Sequence, residues 1–171
     1  MDEQMISKAV EAVIRQMSPG HEEKPRQCRC RKHKMTLKLA TALIEKVEDK
    51  AEEMGLAVVV AVSDAAGRVA AVHCMDGAYI ASYDIAVNKT FTSASLKMST
   101  AKLSKLSQPG QPLYGIQHTN EGKIVIFGGG EPLETEGSII GALGVSGGSA
   151  EEDTALAAYG REMLKEVISC Q

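Results

Sequence analysis

A serine in a glycine-rich turn is the first residue in this sequence whose surroundings suggest chemistry. Ser146 lies in the run Gly144–Gly148 (GVSGG), which matches the G-x-S-x-G pattern of hydrolase nucleophiles between a predicted strand and a predicted helix. That mechanism needs a histidine base after the serine, and all four histidines of the chain precede Ser146. We therefore interpret Ser146 as part of a tight strand-to-helix turn, whose backbone amides could bind an anionic group of a ligand.

A second candidate is the end of a predicted strand, where His73, Cys74 and Met75 follow one another. Histidine, cysteine and methionine are among the side chains that bind haem iron. A histidine at a strand end is more often simply a solvated side chain, or one whose hydrogen bonds are satisfied within the protein. The residue types alone leave both interpretations open.

A third candidate is a group of soft ligands near the N-terminus. Cys28 and Cys30 are followed by His33, and thiolate and imidazole are ligands that zinc and iron centres use. His21 would complete a set of four, although the spacing differs from that of standard zinc fingers. Two interpretations remain open: a metal site at Cys28, Cys30 and His33, or a basic segment with accessible thiols.

A lysine and a glycine run are the remaining candidates. Lys89 lies in an alanine-rich predicted helix, where a lysine either extends to solvent or points toward an acidic ligand. The run Gly128–Gly130 lacks the Gly-Lys-Ser/Thr ending of phosphate-binding loops. We predict a hairpin turn or bulge there, with close backbone approach to a ligand as the alternative.

Two segments precede the part of the chain that carries most of these residues. Apolar residues recur at steps of three and four through residues 1–17, which predicts an amphipathic helix. Residues 18–34 hold two prolines, one glycine and six basic residues against two acidic ones, a composition that predicts a flexible basic linker. A lone helix of ~15 residues is marginal in water, so its apolar stripe needs something to pack against.

Residues 35–171 alternate between predicted helices and paired strands. The predicted elements are a helix over 35–54 ended by Gly55, a hairpin with its turn at Asp64–Gly67, helices over 78–96 and 100–106, strands over 123–128 and 138–146, and a last helix opened by the capping box Ser149/Glu152. This order predicts one α+β domain, a sandwich with a largely antiparallel sheet covered by helices.

Composition excludes several classes of protein. The 171 residues carry a net charge of −3, which excludes a strongly basic nucleic-acid coat protein, and we expect no nucleic-acid partner. No apolar run approaches the ~20 residues of a membrane span, and we do not expect the N-terminal residues to be a secretory signal. The four cysteines have no disulfide-framework spacing, so we expect a cytoplasmic protein.

The motifs of residues 35–171, taken in order, resemble those of the GlcG/HbpS family. The matching segments are Val62–Gly67, Met75–Ala78, Lys89 with Thr92, Gly129-Gly130-x-Pro132, Gly137, and Gly141–Gly148 followed by Asp153. The same domain forms the C-terminal part of PduO-type corrinoid adenosyltransferases, whose adenosyltransferase domain and activity are not expected here. The sequence departs from the family at Cys74, where the residue before Met-Asp-Gly is usually arginine.

The resemblance implies a profilin-like sandwich, homo-oligomers, and binding of haem or, as a weaker alternative, a corrinoid. The cofactor-binding residues that we expect are His73, Met75, Asp76, Lys89, His118, Gly129, Gly130 and Ser146. His73 is the expected iron ligand, because it lies beside Met75 where the family motif falls, and His118 is the second candidate.

The N-terminal helix resembles the encapsulation peptides of bacterial microcompartment cargo. The residues expected to bind a shell protein are Ile6, Val10, Val13, Ile14 and Met17. We therefore expect a haem- or tetrapyrrole-binding protein inside a microcompartment, where it supports cofactor handling or redox maintenance. The alternatives are an enzyme that uses Lys89, Asp64 and His73 on a tetrapyrrole or small metabolite, and a structural cargo or scaffold protein.

Overall fold

Four helices and one four-stranded sheet make up the part of the chain that the structure, a computed structural model, describes, namely residues 34–170. The helices are α1 (Leu37–Glu53), α2 (Ser82–Leu96), α3 (Thr100–Leu106) and α4 (Ala150–Ser169), and the strands are β1 (Val59–Asp64), β2 (Val69–Cys74), β3 (Gly130–Thr135) and β4 (Ser138–Ser146). The predicted α+β architecture is confirmed. The predicted helix at 1–17, most of the linker at 18–34 and the residues Cys28, Cys30 and His33 lie outside the described residues.

The sheet is antiparallel throughout, with the strand order β2-β1-β4-β3. Because side chains alternate along a strand, the two faces of β1 pack against different helices. Val60 and Val62 face α1 and α4, which together build the larger core. Val59 and Ala61 face α2 on the other side. The sheet is therefore the middle layer of a three-layer sandwich.

Local sequence accounts for the ends of the long helices. Thr36 caps α1, because its hydroxyl accepts a hydrogen bond from the Leu39 amide, and Gly55 follows the helix with a φ of 70° that favours glycine. At the other end of the chain, Ser149 and Glu152 form the predicted capping box at the start of α4.

Close contact between α2 and β4 depends on a glycine in the strand. A Cβ atom at Gly144 would lie 2.2 Å from the carbonyl oxygen of Ala86 and 3.0 Å from the Cβ of Lys89. Only a residue without a side chain lets the helix approach the sheet this closely. This short separation brings Lys89 to the end of β4.

The strand predicted over residues 123–128 is wrong. Ile124 and Val125 are buried, but the Val125 amide donates to the Thr92 hydroxyl of α2 instead of to a neighbouring strand. The third strand begins later, at Gly130, so the glycine run is not the predicted hairpin turn. That turn lies at Glu136 and Gly137, which both have positive φ, as a tight two-residue hairpin turn requires.

In the described part of the chain, no helix is long and apolar enough to cross a membrane. The same residues hold no cluster of three or more His, Cys, Asp and Glu side chains that would suit a metal ion. The predicted metal ligands Cys28, Cys30 and His33 lie outside the described residues, so a metal site there stays a prediction.

Candidate functional site

A buried lysine lies where the C-terminal end of β4 meets α2 and the first turn of α4. Lys89 is fully buried, and its Nζ donates hydrogen bonds to the Val145 carbonyl oxygen at 2.6 Å and to Asp153 Oδ2 at 2.7 Å. A buried ammonium is costly unless it is paired and hydrogen-bonded. The two bonds satisfy that condition, and they join α2, β4 and α4 at one point.

The glycine run provides the space for this ammonium. A Cβ atom at Gly129 would lie 2.6 Å from Lys89 Nζ and 2.7 Å from the Val145 carbonyl oxygen, and its φ of 108° also favours glycine. The ring of Phe127 covers the ammonium, with its centroid 5.0 Å from Nζ, within the range of a cation–π contact. Gly129 therefore approaches the Lys89 ammonium closely, while the close approach of this glycine run to a ligand stays a prediction.

Asp153 also orders the turn that leads into α4. Its Oδ1 accepts a hydrogen bond from the Gly148 amide at 3.0 Å, while the Ser149 amide donates to Glu152 Oε2 at 2.8 Å. Carboxylates of the helix itself therefore occupy both amides. The expectation that the turn amides would bind an anionic ligand group is wrong for Gly148 and Ser149.

Burial acts on both partners of the Lys89–Asp153 pair. It lowers the pKa of the Lys89 amine below its usual range, although Asp153 opposes that shift. It raises the pKa of the Asp153 carboxyl, against the hydrogen bonds from Lys89 and the amides of Gly147 and Gly148. Both shifts favour the neutral amine and the neutral acid relative to the same groups in water.

Ser146 lies beside this pair without a partner that would activate it. It is buried, and its Oγ lies 3.2 Å from Ser82 Oγ. In residues 34–170 the two histidine side chains form hydrogen bonds elsewhere, His73 with Glu48 and His118 with Gln117. This geometry is consistent with the structural role predicted for Ser146.

A pocket of about 280 Å³ opens to solvent in front of Ser146 and Asp153. Its wall contains Tyr79, Ser82, Ile85, Phe127 and Ser146, and we call it the Tyr79 pocket. Tyr79 is 72% exposed, and Ile80, which lies between the lining residues Tyr79 and Ala81 in sequence, is 97% exposed. The pocket thus combines a small polar floor with an apolar, partly aromatic rim.

Sequence reasoning missed Tyr79, Ile80 and Phe127. The chain has only four tyrosines and two phenylalanines, and Tyr79, Tyr83 and Phe127 are half of them. Because the chain has so few aromatic residues, a sequence signal for this pocket was available: Tyr79 and Tyr83 lie close to Ile80 near the start of a helix. The contribution of Phe127 could not be predicted from the sequence, because it depends on the contact of its ring with Lys89 of α2, which is distant in sequence.

The other expected cofactor residues lie apart from this pocket. His73 pairs with Val60 across the sheet, on the side covered by α1, and its Nδ1 lies 3.1 Å from Glu48 Oε2. Met75 packs against the core on that same side, and the exposed Asp76 follows it. The structure brings together Lys89, Gly129 and Ser146 of the predicted set, and it does not bring His73, Met75 or Asp76 to them.

The remaining two predicted residues have other neighbours. His118 is exposed at the end of a short 3-10 turn, Ile116–His118. The Gly130 amide donates to the Thr100 hydroxyl at 2.9 Å, and a Cβ at Gly130 would lie 2.7 Å from Ser93 Oγ. Gly130 therefore packs the sheet against α2 and α3, next to the position where Gly129 approaches Lys89.

A larger pocket of about 460 Å³ lies at the opposite end of the sheet, beside the β1–β2 turn. Asp64 lies in its wall, but its carboxylate accepts hydrogen bonds from the Ala66 amide and from the Arg68 amide and guanidinium. Burial would raise the pKa of Asp64, yet these hydrogen bonds hold it below its usual value. Because the Asp64 carboxylate already accepts these hydrogen bonds within the turn, it is less available to a ligand, and this pocket is the weaker candidate site.

Comparison with known proteins identifies the family and supports the fold. Residues 35–162 match the family described as haem-degrading protein HbpS-like. The corrinoid adenosyltransferase PduO of Citrobacter freundii is 40% identical over 108 residues, which are 63% of this chain and 32% of PduO. The chain therefore corresponds to about a third of that relative.

Two solved structures share the sandwich. Protein ORFY of Klebsiella pneumoniae superposes with a TM-score of 0.76 at 40% identity, covering 80% of this chain and 95% of ORFY. A complex of PduOC with haem superposes with a TM-score of 0.72 at 34% identity, covering 75% of this chain and 94% of PduOC. The family resemblance that the motifs suggested is confirmed: this chain belongs to the HbpS-like family.

Proposed function

We propose that this protein binds haem or a related tetrapyrrole at the Tyr79 pocket. The single observation that carries the proposal is the exposed apolar rim of the pocket, where the lining residues Tyr79 and Phe127 are 72% and 42% exposed and Ile80, next to Tyr79 in sequence, is 97% exposed. Contiguous exposed apolar side chains around a pocket are typical of ligand sites, whereas apolar side chains scattered singly over a surface are common and indicate no site. The haem complex of the relative PduOC supports the choice of ligand.

The residue types at the pocket fit a tetrapyrrole. A macrocycle needs an apolar surface, which Tyr79, Ile80 and Phe127 offer, and its iron needs a ligand. Among the residues that line the pocket, Tyr79 is the one whose side chain is of a type that binds haem iron. Bound haem would supply a redox-active iron, and the protein would supply the apolar surface and the ligand.

His73 and His118, the iron ligands predicted from the sequence, remain alternatives to Tyr79. Neither histidine lines the Tyr79 pocket, and the Nδ1 of His73 is held by Glu48. A tetrapyrrole that used His73 would therefore lie on the side of the sheet that α1 covers. Absorption spectra of hemin-loaded Tyr79→Phe, His73→Ala and His118→Ala variants assign the ligand, because only the variant that lacks the ligand changes its spectrum.

The site is tested by placing a charge on its rim. We expect Ile80→Asp to weaken hemin binding roughly tenfold or more, because a carboxylate would have to be desolvated against the macrocycle. Leu37→Asp is the matched control, since Leu37 is also exposed (66%) but lies at the start of α1. If the two variants bind hemin as tightly as the wild-type protein, the tetrapyrrole does not bind at the Tyr79 pocket.

The finer parts of the proposal concern assembly and location. We propose that the protein forms homo-oligomers and is cargo of a bacterial microcompartment, where it handles a cofactor or maintains its redox state. The support for the cargo role is the predicted stripe Ile6, Val10, Val13, Ile14 and Met17, which would bind a shell protein. A corrinoid is the alternative ligand, and its support is the similarity to the adenosyltransferase PduO.

A further inference from the structure

The buried Lys89–Asp153 pair is more than tetrapyrrole binding requires. Its two charged groups lie at the back of the Tyr79 pocket, and Asp153 itself forms part of the pocket wall. Lys89 is not among the lining residues, but the ring of Phe127, which is, has its centroid 5.0 Å from Lys89 Nζ. A lysine and a carboxyl group 2.7 Å apart behind an apolar pocket are the two groups that imine chemistry needs.

We propose that Lys89 is a carbonyl-reactive amine, which forms an imine with a small aldehyde bound in the Tyr79 pocket. Only a small aldehyde would fit wholly inside the pocket volume of about 280 Å³, whereas the proposed tetrapyrrole would lie against the exposed rim. The Phe127 side chain, which is 42% exposed and lies over the amine, would have to rotate to admit the aldehyde and so acts as a cover.

The proton and bond changes balance within the pair and the aldehyde. The Lys89 ammonium first transfers a proton to Asp153, and the neutral amine then adds to the carbonyl carbon to form the C–N bond. The carbonyl oxygen takes the proton from Asp153, while Asp153 takes one from the nitrogen. The C–O bond then breaks, the hydroxyl leaves as water with the Asp153 proton, and a protonated imine remains beside the Asp153 carboxylate.

Two features of the site favour this reaction over the usual behaviour of a surface lysine. Burial lowers the pKa of Lys89, so a larger fraction is the nucleophilic neutral amine at a given pH. The product keeps one positive charge on nitrogen, so the protonated imine replaces the ammonium as the partner of Asp153. The buried carboxylate is therefore never left without a cation.

The chain contains well-matched control lysines. Lys46 and Lys50 also pair with carboxylates, Glu166 and Glu53, but both are partly exposed on the surface of α1. Hydrogen bonds to those carboxylates raise the pKa of each, in contrast to the lowered pKa of Lys89. Lys46 and Lys50 therefore serve as controls for the reactivity of an accessible, ion-paired lysine in the same protein.

The experiment incubates the full chain with acetaldehyde and sodium cyanoborohydride at neutral pH, and follows each lysine by peptide mass mapping. We expect Lys89 to be ethylated at least roughly tenfold faster than Lys46 and Lys50, because an amine held beside a carboxyl group that can exchange protons with it reacts faster. Phe127→Ala should increase the Lys89 rate further. In urea the three rates should become similar.

A Lys89 rate equal to or below that of Lys46 and Lys50 in the folded protein would overturn the proposal. A Phe127→Ala variant that reacts no faster at Lys89 would overturn the role of Phe127 as the cover. The proposal does not rest on tetrapyrrole binding. The experiment contains no hemin, so its result does not depend on whether the protein binds hemin. Failure to bind hemin and failure of Lys89 to react are therefore separate results.

Discussion

At the scale of single residues, the molecule uses its buried charges to join segments that are far apart in sequence. Lys89 was recognisable from the sequence as a residue that either reaches solvent or meets an acidic group, and Asp153 belonged to the same set of motifs. Their pairing at 2.7 Å was not predictable, because 64 residues separate them and no local pattern links them. The same limit applies to Glu48 and His73, which the fold brings together from different elements.

Asp64 shows how a residue proposed for chemistry serves the fold instead. Its carboxylate holds the β1–β2 turn through Arg68 and the Ala66 amide, and its pKa is below the unfolded value as a result. A carboxyl whose folded pKa is lowered stabilises the protein above the unfolded pKa of about 3.9. That stabilisation is lost as the pH falls through the lower, folded pKa.

The corresponding prediction concerns Asp64→Asn. We expect the variant to lose about 1 kcal/mol of unfolding free energy at pH 7, because an amide cannot replace the charge-assisted hydrogen bonds. The difference from wild type should shrink as the pH falls from about 5 toward 2, where the wild-type carboxyl becomes protonated. Urea unfolding at several pH values measures both effects, and a difference that stays constant with pH would contradict this role of Asp64.

At the scale of elements, the helices and the first hairpin followed from the sequence because their signals are local. The stripe of α1, the capping box of α4 and the turn at Asp64–Gly67 each lie within a few residues of the element that they define. The region 123–130 was misjudged for the opposite reason. Ile124 and Val125 are buried, but the Val125 amide donates to Thr92 of α2 instead of to a strand, and an apolar run does not by itself reveal which element it packs against.

The close packing of α2 on β4 can be tested at Gly144. We expect Gly144→Ala to lower the unfolding free energy by about 2–3 kcal/mol, because its Cβ would lie 2.2 Å from the Ala86 carbonyl oxygen. Gly137→Ala is the control, since no atom lies within 4 Å of a Cβ there and only backbone strain of roughly 1 kcal/mol is expected. Equal urea-unfolding midpoints for the two variants would show that the helix does not need this close approach.

At the scale of the whole molecule, the N-terminal segment and the HbpS-like domain require separate tests. We expect residues 1–17 fused to a fluorescent protein to localise with co-expressed shell proteins, because aliphatic side chains such as Ile6 and Val13 each contribute ~1.5–3 kcal/mol when buried. Ile6→Glu should disperse the fusion, while Glu3→Gln, away from the stripe, should not.

The competing explanation is that the stripe packs within the protein or its oligomer. In that case deleting residues 1–34 would lower the melting temperature or change the oligomer size, and the fusion would remain diffuse beside shell proteins. Those results together would contradict the cargo role, and they would leave tetrapyrrole binding by the domain unaffected.

Tetrapyrrole binding is the central claim, and it is tested most directly by titrating hemin into the full chain and following the Soret absorption. The exposed apolar rim of Tyr79, Ile80 and Phe127 predicts a band distinct from that of free hemin, which saturates at a defined ratio of hemin to protein. An absorption that rises linearly with added hemin, without a shifted band or saturation, would contradict the claim.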